Sequence, residues 1–153
     1  MNFHPYVTKI LFICHGNICR SPMAEFVMKD LVSKAGLADR IEVASAAVSM
    51  EEIGNDMYPP AKRKLREKSI PFTPHAARRI TKADYDYYDR IICMDQSNLR
   101  WLRHLFPDTE ITSSGKVSLL LNHDVADPWY TGDFEATYQD LVEGCTTLLR
   151  ACL

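Results

Sequence analysis

Apolar and polar positions along the chain switch between two spacings. Val7 to Ile13 closes on the unbroken apolar run Ile10-Leu11-Phe12-Ile13, the form expected of a strand covered on both faces. Ala24, Val27, Met28, Leu31, Val32 and Ala35 then recur at helical spacing, and Gly36 is placed to stop the helix. Ser21 is placed to cap that helix. Pro22 suits its first turn, where a missing N–H costs nothing. Ile41 to Ser45 and Arg90 to Met94 predict two further strands, and Thr109 to Thr112 a short fourth. Pro59-Pro60 predicts a short basic helix through about Lys68. Thr81 with Asp84 forms a capping-box pattern, and Ser97 to Phe106 predicts a helix with Leu99, Leu102 and Leu105 inward. Ser113 to Gly132 lacks a strong period and predicts a long loop, which in a compact domain is usually functional. Phe134, Tyr138, Leu141, Val142, Cys145, Leu148, Leu149 and Cys152 mark one face of a last helix.

Strands alternating with helices predict an α/β fold with a parallel sheet and right-handed crossovers. Ligands of such sheets sit beyond the C-terminal ends of the strands. The stretch Cys14-His15-Gly16-Asn17-Ile18-Cys19-Arg20-Ser21-Pro22 leaves the first strand at that edge, and Asp95 follows the third strand at the same edge.

Length and charge narrow the classes. A chain of 153 residues with 46% apolar positions suits one domain spanning 1–153. The net charge of −2 argues against a general nucleic-acid binder. No apolar run approaches the roughly 18 residues that span a bilayer. Met1-Asn2-Phe3-His4-Pro5-Tyr6 lacks the regions of a signal peptide, so the expected location is the cytoplasm, with no membrane partner. Five cysteines, without a Cys-x-x-Cys pair, predict neither a disulfide framework nor a metal site. The Lys62-Arg63-Lys64 and Arg78-Arg79 clusters read as solvated faces.

The loop that opens at Cys14 carries the chemistry. Gly16 and Asn17 tolerate unusual backbone angles. The N–H groups of His15, Gly16, Asn17, Ile18, Cys19 and Arg20 can therefore turn inward as an anion-binding nest. The following helix adds the positive end of its dipole, and Arg20 a planar fork that matches two oxygens of a tetrahedral oxyanion. The same features favour a thiolate at Cys14, poised to attack phosphorus. A leaving alkoxide or tyrosinate then needs a proton, and Asp127 of Asp127-Pro128-Trp129-Tyr130 is the candidate acid. Trp129 and Tyr130 either wall a pocket for an aromatic ring or anchor their loop in the core.

These residues together resemble the low-molecular-weight protein tyrosine phosphatases. The resemblance extends over Val43-Ala44-Ser45-Ala46, Gly54-Asn55, Pro59, Pro74-His75-Ala76-Ala77-Arg78 and Met94-Asp95-Gln96-Ser97-Asn98, nearly the whole chain. It implies a single-domain three-layer sandwich, a four-stranded parallel sheet with helices on both faces. It also implies Cys14 as nucleophile through a cysteinyl-phosphate intermediate, Arg20 as phosphate ligand, and Asp127 as acid and then base. Asn17, Ser21, Ser45 and His75 match positions that hold the loop in shape. The implied substrate is a phosphotyrosine protein or a small aryl phosphate, with inorganic phosphate as product, no cofactor and no metal, in a monomer or weak dimer. Cys19 matches a second loop cysteine that pairs with the nucleophile on oxidation.

Several positions depart from the family pattern. His15 replaces an aliphatic residue, Ala47 stands where glycine is common, and Met50-Glu51 lacks the large residue that usually forms one pocket wall. Glu51 there is expected to repel an acidic phosphopeptide. Ile18 fits the tyrosine-directed members, whereas relatives acting on phosphoarginine tend to carry threonine. An arsenate reductase on the same scaffold needs two further relay cysteines. Cys93, Cys145 and Cys152 instead fall at apolar positions. A phospho-binding module without catalysis is opposed by the presence of Cys14, Arg20 and Asp127 together.

Overall fold

The computed structural model describes residues 6–107 and 115–153. Among them β1 (Thr8–Cys14), β2 (Ile41–Ala47), β3 (Arg90–Cys93) and β4 (Val117–Leu119) form one sheet in the order β2-β1-β3-β4, every pair parallel. Alternate residues of β1 enter opposite layers. Ile10 and Phe12 pack with Met23, Val27, Leu141, Cys145 and Leu148, whereas Leu11 and Ile13 pack with Ile91, Leu99, Leu102, Tyr85 and Val48. All four β1 side chains are fully buried, each contributing on the order of 1.5–3 kcal/mol.

The first layer holds α1 (Arg20–Lys34), α2 (Pro59–Glu67) and α6 (Phe134–Ala151). The second holds α3 (Lys82–Tyr87) and α4 (Gln96–Leu105). The expected three-layer α/β sandwich is therefore the one observed. No helix among the described residues is long and apolar enough to cross a membrane.

Thr81 forms the predicted capping box, taking the Asp84 N–H at 3.1 Å while its own N–H reaches Asp84 Oδ2 at 2.8 Å. Gly36 follows the end of α1 with φ 72°, a left-handed angle that suits glycine.

Two local expectations change. Ser21 does not cap α1: Cys19 holds that position without a side-chain bond, and Ser21 lies in the first turn. Its hydroxyl is committed to Asn17 and Cys14 instead. The fourth strand is Val117–Leu119, inside the stretch predicted as loop, and the helical turn α5 (Pro128–Thr131) lies there too. Elements of three and four residues are too short to establish a period. Thr109 to Thr112 lies outside the described residues.

The chain reverses its winding across β1, since β2 lies on one side of it and β3 on the other. The loops that follow β1 and β3 diverge there and open a crevice at the C-terminal edge of the sheet.

Candidate active site

Asn17 organises the loop after β1. It is fully buried at φ 61°, a left-handed angle that asparagine tolerates. Gly16, by contrast, has no positive φ, so its use is space: a Cβ there would come within 3.3 Å of Glu52 Cγ. The Asn17 carbonyl accepts from His75 Nε2 at 2.8 Å, and its N–H points at Cys14 Sγ at 3.3 Å.

The Asn17 amide orients two hydroxyls. Oδ1 accepts the backbone N–H of Arg78 at 3.2 Å, so Nδ2 must donate, to Ser21 Oγ at 2.8 Å and Ser45 Oγ at 2.9 Å. Ser45 passes its own hydrogen to Glu25 Oε1 at 2.7 Å. Ser21, having accepted from Asn17, keeps its hydrogen for Cys14 Sγ at 3.0 Å. A thiolate only accepts, so the geometry suits a charged sulfur. Ser45 and His75 thus stand where the sequence expected supporting groups. Glu25 gives no such signal in the sequence: four residues before Lys29 on a helix, it reads as half of a surface pair. That pair exists at 2.5 Å, but the Glu25 carboxylate is buried against Ser45.

Arg20 is 2% exposed. Its Nη1 uses both hydrogens, on Asp95 Oδ2 at 2.7 Å and on the Val125 carbonyl at 2.8 Å. Nη2 lies 3.4 Å from Asp127 Oδ2. Burial works against the guanidinium charge, but Cys14, the bond to Asp95 and the charge of Asp127 hold its pKa above the ordinary arginine value. Asp95 has a second task, since its Oδ1 caps α4 through the Asn98 N–H at 2.9 Å. The spacing Asp95-x-x-Asn98 after a strand was the signal for that cap.

Asp127 is half-buried at the start of α5, where Oδ1 accepts the Trp129 N–H at 3.0 Å. Trp129 and Tyr130 are 50% and 83% exposed, so neither anchors its loop in the core. Trp129 leans on Tyr58, ring centroids 4.6 Å apart. Trp129 and Tyr130 line one open cleft that also takes in Cys14, Arg20, Asp127 and the pair Glu51 and Glu52. His15, Gly16, Ile18 and Cys19 complete its floor and rim.

The expectation that Glu51 stands as a free repelling charge changes. Its Oε2 lies 2.8 Å from His15 Nε2, which offsets that carboxylate whenever His15 is protonated. The basic clusters are paired in part: Arg78 with Asp84, and Lys64 with Glu67 and Glu135.

The remaining cysteines are arranged as core residues. Burial pushes the thiols of Cys93 and Cys145 well up, with Asp95 and Cys14 adding to the effect at Cys93. Cys152 is half-buried and also raised by burial. None is set up as the thiolate relay that arsenate reduction requires. Among the described residues no group of three or more His, Cys, Asp or Glu side chains is placed to hold a metal ion.

The whole arrangement has known relatives. The sequence model of the family described as low molecular weight phosphotyrosine protein phosphatase matches residues 9–152. The low molecular weight protein-tyrosine-phosphatase YfkJ of Bacillus subtilis is 38% identical over 149 residues, covering 93% of this chain and 94% of the relative. The human low molecular weight phosphotyrosine protein phosphatase is 40% identical over 149 residues, covering 92% and 93%. The crystal structure of YfkJ superposes with a TM-score of 0.91 at 36% identity, covering 97% of this chain and 96% of that one. The chain belongs to the low molecular weight phosphotyrosine protein phosphatases.

Proposed function

We propose that this protein-tyrosine phosphatase works through Cys14, Arg20 and Asp127 in two displacements at phosphorus. In the first, the Cys14 thiolate forms an S–P bond as the P–O bond to the tyrosine breaks. Asp127, protonated, gives its hydrogen to the leaving phenolate oxygen. In the second, the Asp127 carboxylate takes a proton from water as the water oxygen bonds to phosphorus. The S–P bond breaks, inorganic phosphate leaves, and the thiolate is received by the Ser21 hydroxyl.

The loop N–H groups and Arg20 hold the equatorial oxygens, where charge is spread in the transition state. One observation carries this reading: Arg20 donates towards Asp127 within the cleft that Cys14 floors. Anion binding by Arg20 competes with that contact and frees the Asp127 carboxyl for the leaving group.

Trp129 and Tyr130 offer aromatic walls to the substrate ring. Cys19, 4% exposed and one position before Arg20, is the partner proposed for oxidised Cys14. The substrate class is tested with matched phosphotyrosine, phosphoserine and phosphoarginine peptides. The phosphotyrosine peptide is expected to have by far the highest kcat/KM. A higher value for phosphoarginine would overturn the assignment of substrate.

A further inference from the structure

The rim of the cleft continues past the residues that hold phosphate. His15, on that rim, meets Trp101 edge-on with ring centroids 5.9 Å apart, and Trp101 meets His104 in the same way at 6.5 Å. On the outer side of α4, Trp101, Arg100, His104 and Ser97 line an open groove. Trp101 is 38% exposed, and Arg100 is exposed with no ion pair among the described residues. The two walls of the rim differ in charge. Glu51 and Glu52 stand on the loop after β2, and Arg100 on α4.

We infer that this α4 groove is a docking site for the substrate polypeptide beside its phosphotyrosine, with an acidic side chain on Arg100 and apolar surface on Trp101. The inference rests on the reading of the Cys14 cleft as the phosphotyrosine site. Two features of the surface select this occupant. The first is continuity: His15 belongs to the cleft and touches Trp101, so a chain leaving the cleft crosses directly onto the indole. An extended chain advances about 3.3 Å per residue, so about two residues span the 5.9 Å between the His15 and Trp101 rings. The second is charge: an arginine without an ion pair among the described residues, next to an exposed indole, suits a carboxylate on an apolar stem.

The groove is absent from the chemistry, so a small aryl phosphate should not sense it. That separates failure of this inference from failure of the catalytic reading. Arg100→Ala and Trp101→Ala are each expected to raise KM about tenfold for a phosphotyrosine peptide with glutamate two or three residues away. The kcat for that peptide and both constants for 4-nitrophenyl phosphate should stay at the parent values. Arg100→Glu should reverse the preference, favouring a lysine-flanked peptide over the glutamate-flanked one. Unchanged peptide KM in all three variants would overturn the proposal, as would equal losses on 4-nitrophenyl phosphate. A change in sedimentation with unchanged peptide KM would mark the groove as a contact between two copies and overturn it too.

Discussion

Glu25 accepts the Ser45 hydroxyl at 2.7 Å, and this bond, together with the Arg78 N–H on Asn17 Oδ1, sets the direction of the hydrogen bonds from there to Cys14. A carboxylate only accepts, so Ser45 must donate to it and accept from Asn17. Asn17 therefore donates to Ser21 as well, and Ser21 turns its hydrogen to the sulfur. Without Glu25, the Ser45 hydroxyl loses its acceptor and is free to turn, which loosens one of the two hydroxyls that hold the Asn17 amide in place.

Glu25→Ala is accordingly expected to lower kcat on 4-nitrophenyl phosphate by roughly tenfold, the scale of one hydrogen bond to a charged group. Glu25→Gln keeps an acceptor and should restore most of the rate. Alkylation of Cys14 by iodoacetate at neutral pH should follow the same order. An Ala variant with parental kcat and alkylation rate would show that the Glu25–Ser45 bond does not support the nucleophile.

Asp95 divides its oxygens between a structural and a chemical task, and substitution can separate them. Asp95→Ser keeps a cap for α4, so its stability should stay within about 1 kcal/mol of the parent, whereas its kcat/KM should fall about tenfold through loss of the Arg20 clamp. Thermal melts and aryl phosphate kinetics on the same preparation read both. A melt that collapses with the serine variant would mean the clamp, and not the cap, holds the fold.

The general features of the site were legible because they depend on residues close in sequence. Cys14, Arg20 and the strand before them lie within one short run, and Asp127-Pro128 marks its own turn. What escaped depends on distant partners. Nothing local tells that Glu25 turns inward to Ser45, or that His15 meets Glu51 and Trp101. β4 escaped for a different reason. Its three residues pair with β3 through backbone bonds, which leave no pattern in side-chain type.

Cys19 bears on oxidation through its environment. Burial pushes its thiol well above the ordinary cysteine value, the charges of Cys14 and Asp127 add to this, and Arg20 opposes it. The thiolate that would attack a sulfenic acid at Cys14 is therefore scarce at neutral pH and increases as pH rises. After mild peroxide treatment, the yield of Cys14–Cys19 disulfide relative to sulfinic Cys14 should climb from pH 6 to pH 9, by about tenfold per unit at most. Mass spectrometry that finds only sulfinic and sulfonic Cys14 throughout would remove Cys19 from this role.

Asp127 touches Arg20 and the Trp129 N–H, and its proposed task is proton transfer to the leaving oxygen. Asp127→Asn should lower the rate most for aryl phosphates with poor leaving groups and least for those that leave unaided. A plot of log kcat against leaving-group pKa should therefore steepen. An equal loss across the series would assign Asp127 to binding alone.

In the proposed reaction the Cys14 sulfur forms the bond to phosphorus. Cys14→Ser keeps the loop, Arg20 and Asp127 while replacing the nucleophile. Hydrolysis of 4-nitrophenyl phosphate by this variant is expected to vanish, with inorganic phosphate or vanadate still bound when measured by calorimetry. Retained turnover by Cys14→Ser would rule out the sulfur as nucleophile.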